Sequence, residues 1–71
     1  MVRPEDLLVA LIRRDRAIDP DSSLVEAEAQ MWIEDLEDQR VLLEGWVQFK
    51  GEGHFEARYV LDGSWFQIGP W

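Results

Sequence analysis

The sequence predicts one α+β domain over residues 1–71, in which two N-terminal helices pack on one face of a three-stranded antiparallel β-meander (ααβββ). Apolar residues recur with a helical period in the first half of the chain. From Arg40 onward the period changes to that of β-strands. Glycine-containing turns at residues 51–53 and 62–63 divide this second half into three segments.

The first helix is predicted over about residues 4–17. Pro4 is tolerated at a first helical position, and the acids Glu5 and Asp6 suit the positive end of the helix dipole. Arginines collect near the other end, where cations are favoured. The apolar residues of this helix follow a helical spacing at Leu7, Leu8, Leu11 and Ile12.

The second helix is predicted over about residues 23–38. Residues 19–23 read Asp-Pro-Asp-Ser-Ser, a composition typical of a turn. Ser23 and Glu26 then have the spacing of a capping box at a helix N-terminus. The apolar stripe of this predicted helix consists of Val25, Ala29, Trp32, Ile33 and Leu36.

Three strands are predicted, over about residues 41–50, 54–61 and 64–68. A three-residue loop places Lys50 opposite His54, and a two-residue loop places Leu61 opposite Ser64. Both hairpins then put one set of apolar residues on the same face, which is expected to meet the helices. This predicted inner face consists of Leu43, Val47, Phe49, Phe55, Ala57, Tyr59, Leu61, Phe66 and Ile68.

The reverse face of the predicted sheet is unusually apolar for a solvated surface. The predicted register places Trp46 opposite Arg58 and Val60 opposite Trp65. Exposed apolar patches of this kind mark contact surfaces, so we predict a protein interface here. Its predicted residues are Leu42, Trp46, Arg58, Val60, Trp65 and Trp71.

Three other interpretations of this reverse face stay open. Trp46 could stack on Arg58 as a cation–π pair, with Trp65 covered by a C-terminal tail that contains Trp71. The tryptophans and the arginine could instead form a flat platform for a sugar or a planar metabolite. The first helix is also apolar enough to cover this face itself.

The charge of the chain makes some partner classes improbable. The net charge is −8, and residues 21–40 hold seven acids and one base. Such a segment would repel a phosphate backbone, so no direct nucleic-acid binding is expected. The acids of residues 34–38 are either a solvated surface or a docking site for a basic protein. The longest apolar run is far shorter than a membrane span, so no membrane interaction is expected.

The sequence contains no recognisable catalytic, cofactor or metal site. It lacks Cys and Thr, and neither its three serines nor His54 has a placed catalytic partner. Asp19, Asp21 and Ser23 have the spacing of calcium-loop ligands. However, position six of such a loop is Leu24 where glycine is needed, and position twelve is Gln30 where glutamate is needed. Capping of a helix is therefore the favoured interpretation of these three residues.

We therefore expect a small acidic interaction module of the regulatory, adaptor or inhibitor type, and no enzyme. A core this small gains stability from self-association, so a homodimer is predicted. The absence of cysteine and of a secretory signal predicts a cytoplasmic protein. The alternatives are a small-ligand or sugar-binding protein and a subunit of an enzyme whose chemistry lies in a partner chain.

Overall fold

The computed structural model describes residues 3–62 of the chain. Within this part the elements follow the order α1, β1, β2, β3, and the strands form one antiparallel sheet in the order β1-β2-β3. The α+β class and a three-stranded antiparallel sheet are therefore confirmed. The bounds are Pro4–Arg16 for α1, Leu24–Asp35 for β1, Arg40–Phe49 for β2 and Gly53–Leu61 for β3.

The prediction of a second helix is wrong, because residues 24–35 form strand β1. Ser23 caps no helix; its carbonyl oxygen accepts a hydrogen bond from the Lys50 N–H at 2.9 Å. Residues 25–31 alternate apolar and polar side chains, which is a strand pattern. The segment is nevertheless rich in alanine, glutamate and glutamine, which favour helices in isolation. Pairing with β2 along the whole strand overrides that local preference.

Helix α1 begins at Pro4 and ends at Arg16, close to the predicted bounds. Ala17 adopts the left-handed conformation that commonly follows a helix, with φ 52°. The N–H of the next residue, Ile18, donates a hydrogen bond to the Arg13 carbonyl at 3.0 Å, and this bond ends the helix. The side chains that α1 buries are Leu7, Leu8, Val9, Leu11 and Ile12.

The β2–β3 hairpin has a register shifted by two residues from the predicted one. Phe49 lies opposite Gly53, so the loop consists of residues 50–52. Gly51 and Gly53 have φ angles of 84° and 96°, which glycine adopts without steric cost. A shift by an even number leaves every side chain on its predicted face, so the predicted inner face is retained between residues 43 and 61. The predicted strand 64–68 lies outside the described residues.

The core lies between α1 and one face of the sheet, which we call the inner face. Helix α1 therefore covers the inner face and not the reverse face. Ala29, Gly45 and Ala57 lie side by side across the three strands, and these small residues leave space for the helix. The core cluster comprises Leu7, Leu8, Val9, Leu11, Ile12, Ile18, Ala29, Leu43, Val47, Phe49 and Leu61.

Arg13 connects three parts of the fold. Its guanidinium lies over the Phe49 ring of β2, 4.9 Å from the ring centroid. The same guanidinium donates a hydrogen bond to the Ser22 carbonyl at 2.7 Å, so it also holds the loop before β1. Arg16 lies similarly over Phe55 at 5.7 Å. The C-terminal half of α1 is thus fixed to β2 and β3 by arginine–aromatic contacts.

The β1–β2 turn is organised by the carboxylate of Asp35. It accepts hydrogen bonds from the N–H groups of Glu37 at 2.9 Å and Asp38 at 3.3 Å, and from the Arg40 guanidinium at 3.1 Å. The Asp38 N–H and the Arg40 guanidinium are the main causes that lower the pKa of Asp35 below its usual value. The carboxylate is therefore ionised, and accepts these hydrogen bonds, at any pH above the ordinary pKa of an aspartate.

A hydrogen bond between the helix and the edge strand β3 predicts an alkaline step in stability. The Tyr59 hydroxyl donates to the Asp15 carboxylate at 2.7 Å. Burial and this hydrogen bond raise the pKa of Tyr59 to about 12. Because the pKa is higher in the folded state, the stabilisation is complete below the unfolded value of 10.0 and is lost between pH 10.0 and about 12.

We expect Tyr59→Phe to lower the free energy of unfolding by about 1 kcal/mol at pH 7, because the hydrogen bond to Asp15 is lost. The difference between the wild type and the variant should shrink toward zero as the pH approaches 12. Urea unfolding of both proteins at neutral and alkaline pH measures this difference. A gap that stays constant over the whole pH range would contradict the role of the hydroxyl.

Candidate outer-face binding surface

The candidate functional surface is the side of the sheet opposite to α1, which we call the outer face. Adjacent side chains of a strand point to opposite faces, so between the register shifts at the two ends of β1 the even-numbered residues of the three strands share this side. The strand pairing arranges them in cross-strand rows of three. From the β2–β3 loop end toward the β1–β2 turn, the rows are Glu26-Gln48-His54, Glu28-Trp46-Glu56, Gln30-Glu44-Arg58 and Trp32-Leu42-Val60.

The last of these rows is apolar. Trp32 is 40% exposed and Val60 is 57% exposed, while Leu42 lies between them and is only 4% exposed. Leu42, predicted as an interface residue, can therefore offer little contact area. Trp32 was not predicted at this surface, because a helical period had placed it in a core stripe. The strand alternation of residues 25–31, continued by one residue, would have put Trp32 on the outer face.

Trp46 lies at the centre of the outer face and is partly buried. Its ring stacks on the ring of His54, with centroids 5.0 Å apart and planes inclined by 24°. In the register, Glu28 and Glu56 lie on either side of it. The predicted pairing of Trp46 with Arg58 is wrong, because the two-residue shift puts Glu56 opposite Trp46.

Arg58 instead lies opposite Glu44 and forms an ion pair with it, with Nε 3.8 Å from the carboxylate. Both side chains are exposed, so this pair adds little stability. A shallow depression of about 530 Å³ lies between this pair and Trp46. Gly45 is among the residues that line it. The surface around this depression combines one indole, one guanidinium and several carboxylates.

Trp65 and Trp71, the remaining predicted interface residues, lie outside the described residues. The other four predicted interface residues lie on the outer face. Three of them have accessible surface, namely Trp46, Arg58 and Val60, whereas Leu42 is buried. No helix within residues 3–62 is long and apolar enough to cross a membrane.

Residues with catalytic or metal-binding chemistry are dispersed in the described part of the chain. Between residues 3 and 62, no group of three His, Asp or Glu side chains is arranged to hold a metal ion. The Asp19 carboxylate, considered above as a calcium ligand, accepts a hydrogen bond from the Asp21 N–H at 2.9 Å. The Asp19 carbonyl accepts another from the Ser22 N–H, so these residues form a turn before β1.

No protein-family model matches this chain, and no curated protein or solved structure is significantly similar to it.

Proposed function

We propose that this protein is a small interaction module of the regulatory, adaptor or inhibitor type, which binds another protein through its outer face. The observation that carries the proposal is the combination of an exposed apolar row and a central tryptophan on the side of the sheet opposite to α1. Such patches on small domains are typical of contact surfaces. The predicted cytoplasmic location is part of the same proposal.

The residue types on the outer face suit a protein contact. Tryptophan and arginine are the residues that most often dominate binding energy in interfaces, and Trp46 lies one row from Arg58. Trp32 and Val60 add exposed apolar area at one end of the face. The sheet supplies a rigid backbone, so the binding residues lose little conformational entropy when a partner docks.

The charge of the outer face favours a different protein over a second copy as the partner. Glu28, Glu44 and Glu56 surround the central depression, and among the described residues that line it Arg58 is the only cation. Two copies joined face to face would bring these carboxylates together, which costs free energy. The homodimer predicted above is therefore the alternative form of this proposal, and its test is the oligomeric state in solution.

We expect alanine at Trp46 to weaken binding of a partner by at least about tenfold, because a central tryptophan supplies a large share of the contact energy. The test uses the full chain as bait to capture a partner, followed by titration calorimetry with Trp46→Ala and Val60→Ser. Circular dichroism establishes that each variant is folded. The matched control is Leu36→Ala, which removes a more exposed apolar side chain, 78% accessible, in the β1–β2 turn.

The proposal requires that the partner binds the wild type and Leu36→Ala equally and that both outer-face variants bind more weakly. Equal affinity for Trp46→Ala and the wild type would contradict it. A chain that captures no protein and sediments as a monomer at all concentrations would contradict both forms of the proposal.

Binding of a small planar ligand or a sugar is the second candidate, and the depression beside Trp46 favours it. Its volume of about 530 Å³ is within the range of ligand sites, and Trp46 and Arg58 can stack on and hydrogen-bond to a planar molecule. Tryptophan fluorescence titrated against a ligand panel, with Trp46→Phe as the control, tests this function. A fluorescence signal that does not change with any ligand would exclude binding of the ligand classes in the panel.

A further inference from the structure

We propose that the free edge of β1 binds a basic, extended segment of a partner protein, which adds to the sheet as a further strand beside β1. This inference rests on the proposed function, since it requires a protein partner. It adds the chemistry of that partner, the edge at which the partner docks and the geometry of the contact.

Strand β1 is an edge strand in the described part of the chain. Ten of its twelve residues pair with β2, and no other strand within residues 3–62 lies on its far side. Alternate backbone N–H and C=O groups of such a strand point away from the sheet and can bind an added strand. Helix α1 packs on the inner face of the sheet, where it contacts all three strands. An extended partner segment could therefore hydrogen-bond along β1.

The charge of this edge selects a basic segment. Residues 24–38 contain six acids and no lysine or arginine. Glu26 and Glu28 form no ion pair with any residue between 3 and 62, although both lie on the exposed outer face. Other acids near β1 are already engaged: Asp35 and Asp38 lie 3.1 and 4.0 Å from the Arg40 guanidinium.

The glutamates of β2 and β3 lie nearer to possible ion-pair partners than Glu26 and Glu28 do. Glu44 lies 3.8 Å from Arg58, and Glu56 lies 3.9 Å from the His54 ring. The His54–Glu56 contact is an ion pair only when the ring is protonated, whereas Glu26 and Glu28 on β1 have no such partner within residues 3–62. A second copy of β1 would bring four more acids and no compensating cation, so charge complementarity favours a different, basic strand.

The exposed apolar side chains of β1 define the rest of the partner's pattern. Val25 is 57% exposed and Ile33 is 61% exposed, and the strand alternation places Ile33 on the opposite side of the strand from Glu26 and Glu28. A strand paired with β1 would therefore place lysine or arginine beside the glutamates and apolar residues on the other side. A segment in which basic and β-branched residues alternate satisfies both requirements.

The probe for this inference is a peptide of about ten residues in which lysine alternates with valine, long enough to pair with most of β1. We expect it to bind the full-length protein and to slow hydrogen exchange at alternate amides of β1 by at least about tenfold. Raising the salt concentration from about 0.05 M to about 0.5 M should weaken binding by about tenfold, because the charge pairs are exposed.

Protein variants test the charge contribution of β1, and altered peptides test the backbone contribution of its edge. Glu26→Gln combined with Glu28→Gln should weaken peptide binding by about tenfold, whereas Glu52→Gln in the exposed β2–β3 loop is the control and should bind as the wild type does. A peptide with glutamate in place of lysine should not bind. A lysine–valine peptide with N-methyl groups on the residues that face β1 should also fail to bind, because it lacks the necessary backbone donors.

Two results would overturn the inference. One is tight peptide binding that leaves the exchange of the β1 amides unchanged and depends on Trp46, which would leave the outer-face proposal intact. The other is equal binding by the wild type and by the Glu26/Glu28 double variant. A failure of the outer-face proposal is recognised separately, by unchanged affinity of a captured partner for Trp46→Ala.

Discussion

Gly45→Ala is expected to lower the free energy of unfolding by at least about 3 kcal/mol, because β1 and β2 approach each other too closely for a side chain at this position. A Cβ atom at Gly45 would collide with the Glu28 carbonyl oxygen and would lie 2.6 Å from the Cα of Ala29. Both obstacles are backbone atoms, so no side chain can rotate away to relieve the contact. A domain of this size has a free energy of unfolding of only about 4–10 kcal/mol, so much of it would be lost.

The matched control for this variant is Gly51→Ala in the β2–β3 loop. Nothing lies within 4 Å of a Cβ at Gly51, so only its φ angle of 84° opposes the substitution, at a cost of about 1–2 kcal/mol. Urea unfolding followed by circular dichroism measures both variants. If Gly45→Ala costs less than Gly51→Ala, the close approach of the two strands at Gly45 is disproved.

Phe49→Ala is expected to lower the free energy of unfolding by about 3–5 kcal/mol, the usual cost of removing a buried aromatic side chain. The Phe49 side chain is only 1% exposed and its ring lies 6.4 Å from that of Phe55. The Arg13 guanidinium also lies over this ring. The truncation therefore leaves a cavity in the core and removes a contact between α1 and β2.

Two other substitutions calibrate this prediction. Phe49→Leu keeps most of the volume and should cost less than about 1.5 kcal/mol. Leu36→Ala removes a side chain that is 78% exposed and should change stability by less than about 0.5 kcal/mol. Thermal and urea unfolding give the three values. A loss from Phe49→Ala no larger than that from Leu36→Ala would show that Phe49 is not in the core.

The parts of the fold that the sequence predicted are those in which local preference and tertiary structure agree. Pro4 and the helical spacing of apolar residues marked α1, and the residues around Gly51 marked the β2–β3 hairpin. Strand β1 was missed because Ser23 and Glu26 have the spacing of a capping box and the apolar residues after them fit a helical stripe, while residues 25–31 also fit the period of two that favours a strand. Only the neighbouring β2 decides between them, and that contact is not visible in the local sequence.

The candidate surface was predictable in outline and not in its contacts. The faces of β2 and β3 survive a register error of two residues, so Trp46, Arg58 and Val60 were placed on the correct side of the sheet. The cross-strand neighbours of Trp46 were not predicted correctly. The loop lies one residue earlier than predicted, and this changes every pair between β2 and β3. The acidic segment was assigned to a helix surface, and the structure instead places most of it on the edge strand.

The helix-favouring composition of β1 has a consequence for the order of events during synthesis. Residues 24–35 are synthesised, and leave the ribosomal exit tunnel, before residues 40–49, so for a time the emerged chain contains β1 without the strand that imposes its extended form. Until β2 emerges, local preference directs this segment toward helix. Closure of the turn at residues 36–39 is then the event that commits the chain to its final topology, since it is the first moment at which pairing can compete with that preference.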